Sequence, residues 1–167
     1  MPARKSAADG CPSVDIYTDG GAIGNPGPGG YGAVLVRGDR RLELAGGYRL
    51  TTNNRMEIMG AIAALEALKG PCAATLFSDS QYLVNAIYQG WAKRWRANGW
   101  KRNAREKALN PDLWERLLEL LERHQVTFIW VRGHSGHAEN ERCHDLSMQA
   151  AQSPGLPPDE EYEGTTG

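Results

Sequence analysis

The chain has 167 residues, 41% hydrophobic and 23% charged, with a formal net charge of −1, which predicts one domain able to bury a sizeable core. No apolar run approaches the roughly 18 residues of a membrane span, and the polar first 11 residues lack the apolar centre of a secretory signal. Cys11, Cys72 and Cys143 are far apart and form no Cys-x-x-Cys pair, so neither a disulfide framework nor a cysteine zinc site is indicated. The expectation is a cytoplasmic protein, with no membrane contact and no obligate protein partner, acting as a monomer.

Residues 1–12 read as a flexible leader. Val14 to Thr18 alternate in polarity and deliver Asp19 to the end of a strand, closed by Gly20-Gly21. Gly20 to Gly30, with Pro26 and Pro28, reads as a loop whose backbone could approach a ligand closely. Tyr31–Arg37 and Arg40–Leu50 follow as strands joined at Gly38-Asp39. Ile58, Ile62, Leu65 and Leu68 then fall at helical spacing, with Glu57 near the first turn and Gly70-Pro71 as the stop. Ala74–Ser78 is a short strand ending in Asp79-Ser80, before a helix with Leu83, Val84, Ile87 and Tyr88 on its apolar side.

The segment of about 91–108 is basic and partly helical, with seven Lys and Arg from Trp91 to Lys107 against Glu106 alone, interleaved with Trp91, Trp95 and Trp100. Near-neutral overall charge therefore does not argue against a polyanionic partner. Asn110-Pro111-Asp112 predicts a helix start capped by Asn110. Thr127–Val131 reads as a buried strand, Gly133–Ala138 as a loop, and Glu139–Ala151 as a final helix. Residues 153–167, with three prolines and four acids, read as a disordered acidic tail. The ordered domain is 13–152. Its element order predicts an α/β fold with a five-stranded mixed sheet, the first three strands antiparallel and the rest parallel, covered by helices on both faces.

Asp19, Glu57 and Asp79 share an address in this plan, at the ends of elements bordering the same strand edge, beside glycine, Asn53, Asn54 and Ser80. Carboxylates gathered in a partly dehydrated cleft repel one another. Hard divalent ions such as Mg²⁺ or Mn²⁺ relieve that repulsion.

Five motifs carry a family resemblance: Tyr17-Thr18-Asp19-Gly20-Gly21; Gly24-Asn25-Pro26-Gly27-Pro28-Gly29-Gly30-Tyr31; Thr51-Thr52-Asn53-Asn54-Arg55-Met56-Glu57; Ser78-Asp79-Ser80-Gln81-Tyr82; and Trp130 to His137 with Glu139-Asn140-Glu141-Arg142. From about Val14 to Ala151 the chain resembles the bacterial type 1 ribonuclease H family. The resemblance implies a ribonuclease H-like fold and an endonuclease that hydrolyses the RNA strand of RNA/DNA hybrids with two Mg²⁺ ions, Mn²⁺ being a possible substitute, and leaves 3′-hydroxyl and 5′-phosphate ends. Asp19, Glu57 and Asp79 then correspond to the first three catalytic, metal-binding carboxylates.

The fourth carboxylate is where the chain departs from the family. Alignment through Glu141-Arg142-Cys143 and Leu146 puts His144 in the aspartate slot, with Asp145 one place on. Adjacent helical residues point about 100° apart, so only one of the two can occupy that position without a local shift. A neutral imidazole can bind metal or orient water, but it contributes no negative charge. His134 reads either as a surface loop residue or, by resemblance, as an aid to proton transfer and product release.

For nucleic acid, the family's basic protrusion corresponds to Trp91, Lys93, Arg94, Trp95, Arg96, Trp100, Lys101 and Arg102. The alternative is that the indoles pack internally while the bases form a solvated exterior. Asn25, Asn53 and Gln81 are candidate readers of the RNA 2′-hydroxyl, and Thr52 and Asn54 candidate phosphate holders; each amide could equally satisfy turn backbone. Two competing functions remain at this stage: a hybrid-binding module whose catalysis is weakened by the missing acid, and a related nuclease acting on DNA.

Overall fold

The computed structural model describes residues 12–104, 106–132 and 137–166. The strand that ends at Asp19, β1 (Ser13–Ala22), lies at the middle of a five-stranded sheet in the order β3-β2-β1-β4-β5. It pairs antiparallel with β2 (Gly27–Arg37), which pairs antiparallel with β3 (Arg40–Thr51) across the expected turn at Gly38. On its other side it pairs parallel with β4 (Ala73–Ser78), which pairs parallel with β5 (Gln125–Trp130).

The pleat divides β1 between two layers. Val14 and Ile16 face α1 (Asn53–Glu66) and contribute to the main core with Ile58, Ile62, Leu65 and Leu76. α2 (Gln81–Tyr88), α3 (Trp91–Ala97) and α4 (Pro111–Arg123) add Leu83, Ala92, Trp114 and Leu117 to that core. Tyr17 points the other way and packs with Val34 beneath Cys143 and Leu146 of α5 (Ala138–Ala151). Asp19, two residues beyond Tyr17, shares the α5 side by the period of two.

Four sequence expectations are corrected. The glycine-rich stretch is mostly strand, because β1 runs to Ala22 and β2 begins at Gly27. Several of its glycines serve close packing, since a Cβ on Gly30 would collide with Ser147 O; just beyond the stretch, one on Gly32 would lie 2.5 Å from Cys143 O. β5 is an edge strand with only Phe128 fully buried, not a buried one. Asn110 precedes α4 as expected, but it does not cap it; its side chain accepts from Arg55 Nη1 at 3.3 Å and donates to Tyr82 Oη at 3.2 Å.

The fourth correction concerns the acidic tail, which folds back onto the domain and ends in α6 (Glu160–Thr166). Asp159 is buried and accepts from Arg55 Nε at 2.7 Å, Arg55 Nη2 at 2.9 Å and Thr51 Oγ1 at 2.8 Å, while Glu163 pairs with Arg49 at 2.8 Å. A buried guanidinium demands carboxylate partners, and the tail supplies one. The leader lies outside the described residues except for Pro12, whose carbonyl accepts from Ala73 N.

Candidate active site

Each acid reaches the cluster by a separate local device. Asp19 sits at the C-terminal part of β1, opposite Gly32 of β2. Close approach of α1 to the following residue is possible because Gly20 has no side chain: a Cβ there would lie 2.4 Å from the Met56 carbonyl. Glu57 stands on α1, whose N-terminus is fixed by Thr52, the side chain of which accepts from Arg55 N at 3.2 Å. Asp79 follows β4, where Ser78 Oγ accepts from Ser80 N at 3.1 Å and Ser80 Oγ caps α2 by accepting from Leu83 N at 3.1 Å.

These devices bring one carboxylate oxygen from each of Asp19, Glu57 and Asp79 within 4.8 Å of the others. Burial, and then the charge of Asp79, push the Asp19 carboxyl up to about 6, against the opposing Gly20 amide and His144. Burial, followed by the charges of Asp19 and Asp79, raises Glu57 well above its ordinary value. Glu57 Oε1 is buried with no hydrogen-bond partner among the described residues. Crowded, desolvated carboxylates and an orphaned buried oxygen are what a divalent cation would satisfy, so the residues present fit such an ion.

His144 lies beside this group, its Nδ1 3.1 Å from Asp19 Oδ2. Asp145, one residue along α5, is exposed and acts on the guanidinium of Arg142 instead. The helix phase thus turns His144 toward Asp19 and Asp145 away. His134 and the rest of the 133–136 loop lie outside the described residues. Cys143 forms no part of a metal group among the described residues; its thiol donates to Tyr17 O at 3.1 Å, and burial pushes it up to about 12.

The polar residues singled out for nucleic acid divide by their partners. Asn25 Oδ1 accepts from Asn53 N at 3.0 Å, and Asn53 Oδ1 accepts from Ala22 N at 2.7 Å, so both amides tie the β1–β2 turn to α1. Thr52 is engaged as a cap, whereas Asn54 and Gln81 are exposed. Trp91, Trp95 and Trp100 all pack against the core, with Trp95 6.2 Å from Trp114 and 6.3 Å from Trp91. Arg96 pairs with Glu115 and Glu122, Arg102 with Glu106, and Arg94 donates to Gln89 O. Lys93 and Lys101 are exposed. The segment is therefore a basic projection built on half-buried indoles, which joins the two readings of it.

Two positioning residues lie within the five motifs but take no role from the sequence alone. Trp130 Nε1 donates to Asp79 O at 3.2 Å and braces the turn that presents Asp79. Arg55 also donates to Asp112 at 2.7 Å, tying the start of α1 to α4 as well as to the C-terminal segment, two residues from Glu57.

A sequence model of the RNase H family matches residues 12–152. The chain is 66% identical over 161 residues to a ribonuclease H of Syntrophus aciditrophicus, covering 96% of this chain and 93% of that one. It is 62% identical over 142 residues to a ribonuclease HI of a Synechocystis species, covering 84% and 89%. Among solved structures it resembles LC9-RNase H1, described as a type 1 RNase H with the type 2 active-site motif, with a TM-score of 0.75 and 30% identity over 94% of this chain and 82% of that one. It also resembles LC11-RNase H1, solved in complex with an RNA/DNA hybrid, with a TM-score of 0.63 and 26% identity over 83% and 96%. With the family's fold and its motifs in order along the chain, this protein belongs to the bacterial type 1 RNase H family and is a ribonuclease H enzyme.

Proposed function

We propose that the enzyme hydrolyses the RNA strand of RNA/DNA hybrids with two Mg²⁺ ions and leaves 3′-hydroxyl and 5′-phosphate ends. The observation that carries this reading is the convergence of Asp19, Glu57 and Asp79 within 4.8 Å around the unpartnered Glu57 Oε1. Bound ions would supply the positive charge and the acidified water that phosphodiester hydrolysis requires. Asp19, Glu57 and Asp79 would hold the ions, with Asp19 serving as the ligand common to both. His144 holds Asp19 Oδ2 from the α5 side and fills the position where the family has an aspartate. His134 assists proton transfer at the leaving oxygen.

The basic projection grips the DNA strand through Lys93, Lys101 and neighbouring arginines. If about four phosphates are neutralised, log K falls with log salt at a slope of roughly −3.6. Discrimination for RNA belongs to groups beside the acids, exposed Gln81 and the backbone framed by Asn25 and Asn53, while exposed Asn54 holds phosphate.

The test is an end-labelled hybrid, duplex RNA and duplex DNA incubated with Mg²⁺, with Asp19→Asn as control. RNA cleavage confined to the hybrid and lost in Asp19→Asn is expected. Tight binding without cleavage would instead support a hybrid-binding module weakened by the missing fourth carboxylate, and cleavage surviving in Asp19→Asn would place the site elsewhere.

A further inference from the structure

Along β5, the edge strand next to α2, two aromatic rings face solvent that the catalytic reading leaves unused. Tyr88, the last residue of α2, is 60% exposed, and its hydroxyl donates to the Phe128 carbonyl. Trp130, at the end of β5, is 42% exposed, with its indole N–H committed to Asp79 O. Each polar tip is thus spent on backbone, and ring is what remains to meet a ligand. Phe128 and Trp130 are about 7 Å apart at the rise of a strand, so the two rings follow one another along the edge.

The strip ends in a cation beside the acids. Val131 N donates to Ser78 O at 2.9 Å, which carries the pairing with β4 past the end of β5. Arg132, one residue further on, is exposed and meets no carboxylate among the described residues. Its backbone lies within about 9 Å of the turn that presents Asp79. Neither α2 nor β5 contains an acid or a base, so nothing along the strip repels a phosphate chain.

A neutral edge strand invites pairing with another protein strand, but here Tyr88 occupies the Phe128 carbonyl. Exposed rings leading to a guanidinium suit a single strand of nucleic acid, whose bases stack while its phosphate takes the charge. We infer that this edge holds unpaired nucleotides continuous with the strand being cut, Arg132 on a phosphate next to the acids and Trp130 and Tyr88 under the bases that follow. The inference rests on the acids being the site of RNA cleavage, because the strip begins at the Asp79 turn. The enzyme thereby favours hybrids whose RNA runs on as a single strand beyond the duplex.

The test is fluorescence anisotropy of the full chain in chelator, so that nothing is cleaved. A labelled blunt hybrid is compared with the same hybrid bearing a short unpaired RNA extension at its 5′ or its 3′ end. One of the extended forms should bind ~10-fold tighter than the blunt form, and an abasic extension should give no advantage. Tyr88→Leu should remove the advantage and Tyr88→Phe, which keeps the ring, should retain it, with melting temperature and blunt-hybrid binding unchanged in both. Arg132→Gln should lower the salt slope for the extended hybrid by roughly 0.7. Equal binding of blunt and extended hybrids, or an advantage that survives Tyr88→Leu or loss of the bases, overturns the proposal. No metal takes part in this readout, so absence of hybrid cleavage with Mg²⁺ would count against the cleavage reading alone.

Discussion

His144 Nδ1 stands 3.1 Å from Asp19 Oδ2, joining the last long helix to the central strand at the point where three acids converge. An imidazole in that position holds the carboxylate without adding a negative charge of its own. His144→Ala should therefore raise the Mg²⁺ concentration for half-maximal cleavage by ~10-fold, and His144→Asp should lower it below that of the natural enzyme. Activation curves unchanged in both variants would remove His144 from the site.

Asp19 has a stability consequence of its own. Its carboxyl is raised from 3.8 to about 6, so the stability it contributes is fully present below pH 4 and is lost as pH rises through 6. Asp19→Asn cannot ionise. In the presence of chelator, the variant should be more stable than the natural chain at pH 7 by about 1–3 kcal/mol, with a smaller difference at pH 4. Urea unfolding at the two pH values checks this, and equal stabilities at pH 7 would show that the cluster carries no such repulsion.

The Arg55 network behaves in the opposite sense. Burial acts to raise Asp112, but the hydrogen bonds and charge of Arg55, joined by backbone amides at the start of α4, together outweigh it and hold the carboxyl below its ordinary value. Its contribution is present above pH 4 and disappears as pH falls through the lowered value. Asp159→Ala leaves the buried guanidinium short of one partner and should cost about 3–5 kcal/mol at pH 7, and deletion of residues 153–167 should cost a similar amount. Denaturation midpoints decide it; a loss below about 1 kcal/mol would mean that the segment docks without supporting α1.

The contact between β2 and α5 is testable through a single methyl group. A Cβ on Gly32 would lie 2.5 Å from Cys143 O and 2.7 Å from Leu146 Cβ, so α5 must shift to admit it. Gly32→Ala should cost about 1–3 kcal/mol, and it should reduce cleavage because His144 rides on the same helix. Gly70→Ala, where nothing lies within 4 Å, is the control. Full activity in Gly32→Ala would show that the seating of α5 does not matter to the site.

How much of this was legible in sequence follows from the range of each cause. Period-two alternation placed Asp19 at a strand end, helical spacing placed Glu57 on α1, and the turn at Gly38 fixed the antiparallel half of the sheet, because all of these are set by neighbours within a few residues. The family motifs named the acids in order. Sequence alone left His144 and Asp145 as rivals, since the phase of a helix against its sheet depends on packing; Gly30 and Gly32, by letting α5 settle, turn His144 inward. It also read the glycine stretch as open loop and the last residues as disordered. Glycine against a helix looks like glycine in a turn until the helix is in place. Asp159 finds Arg55 across 104 positions of chain, and no local pattern announces a charge whose partner is brought to it only by the completed fold.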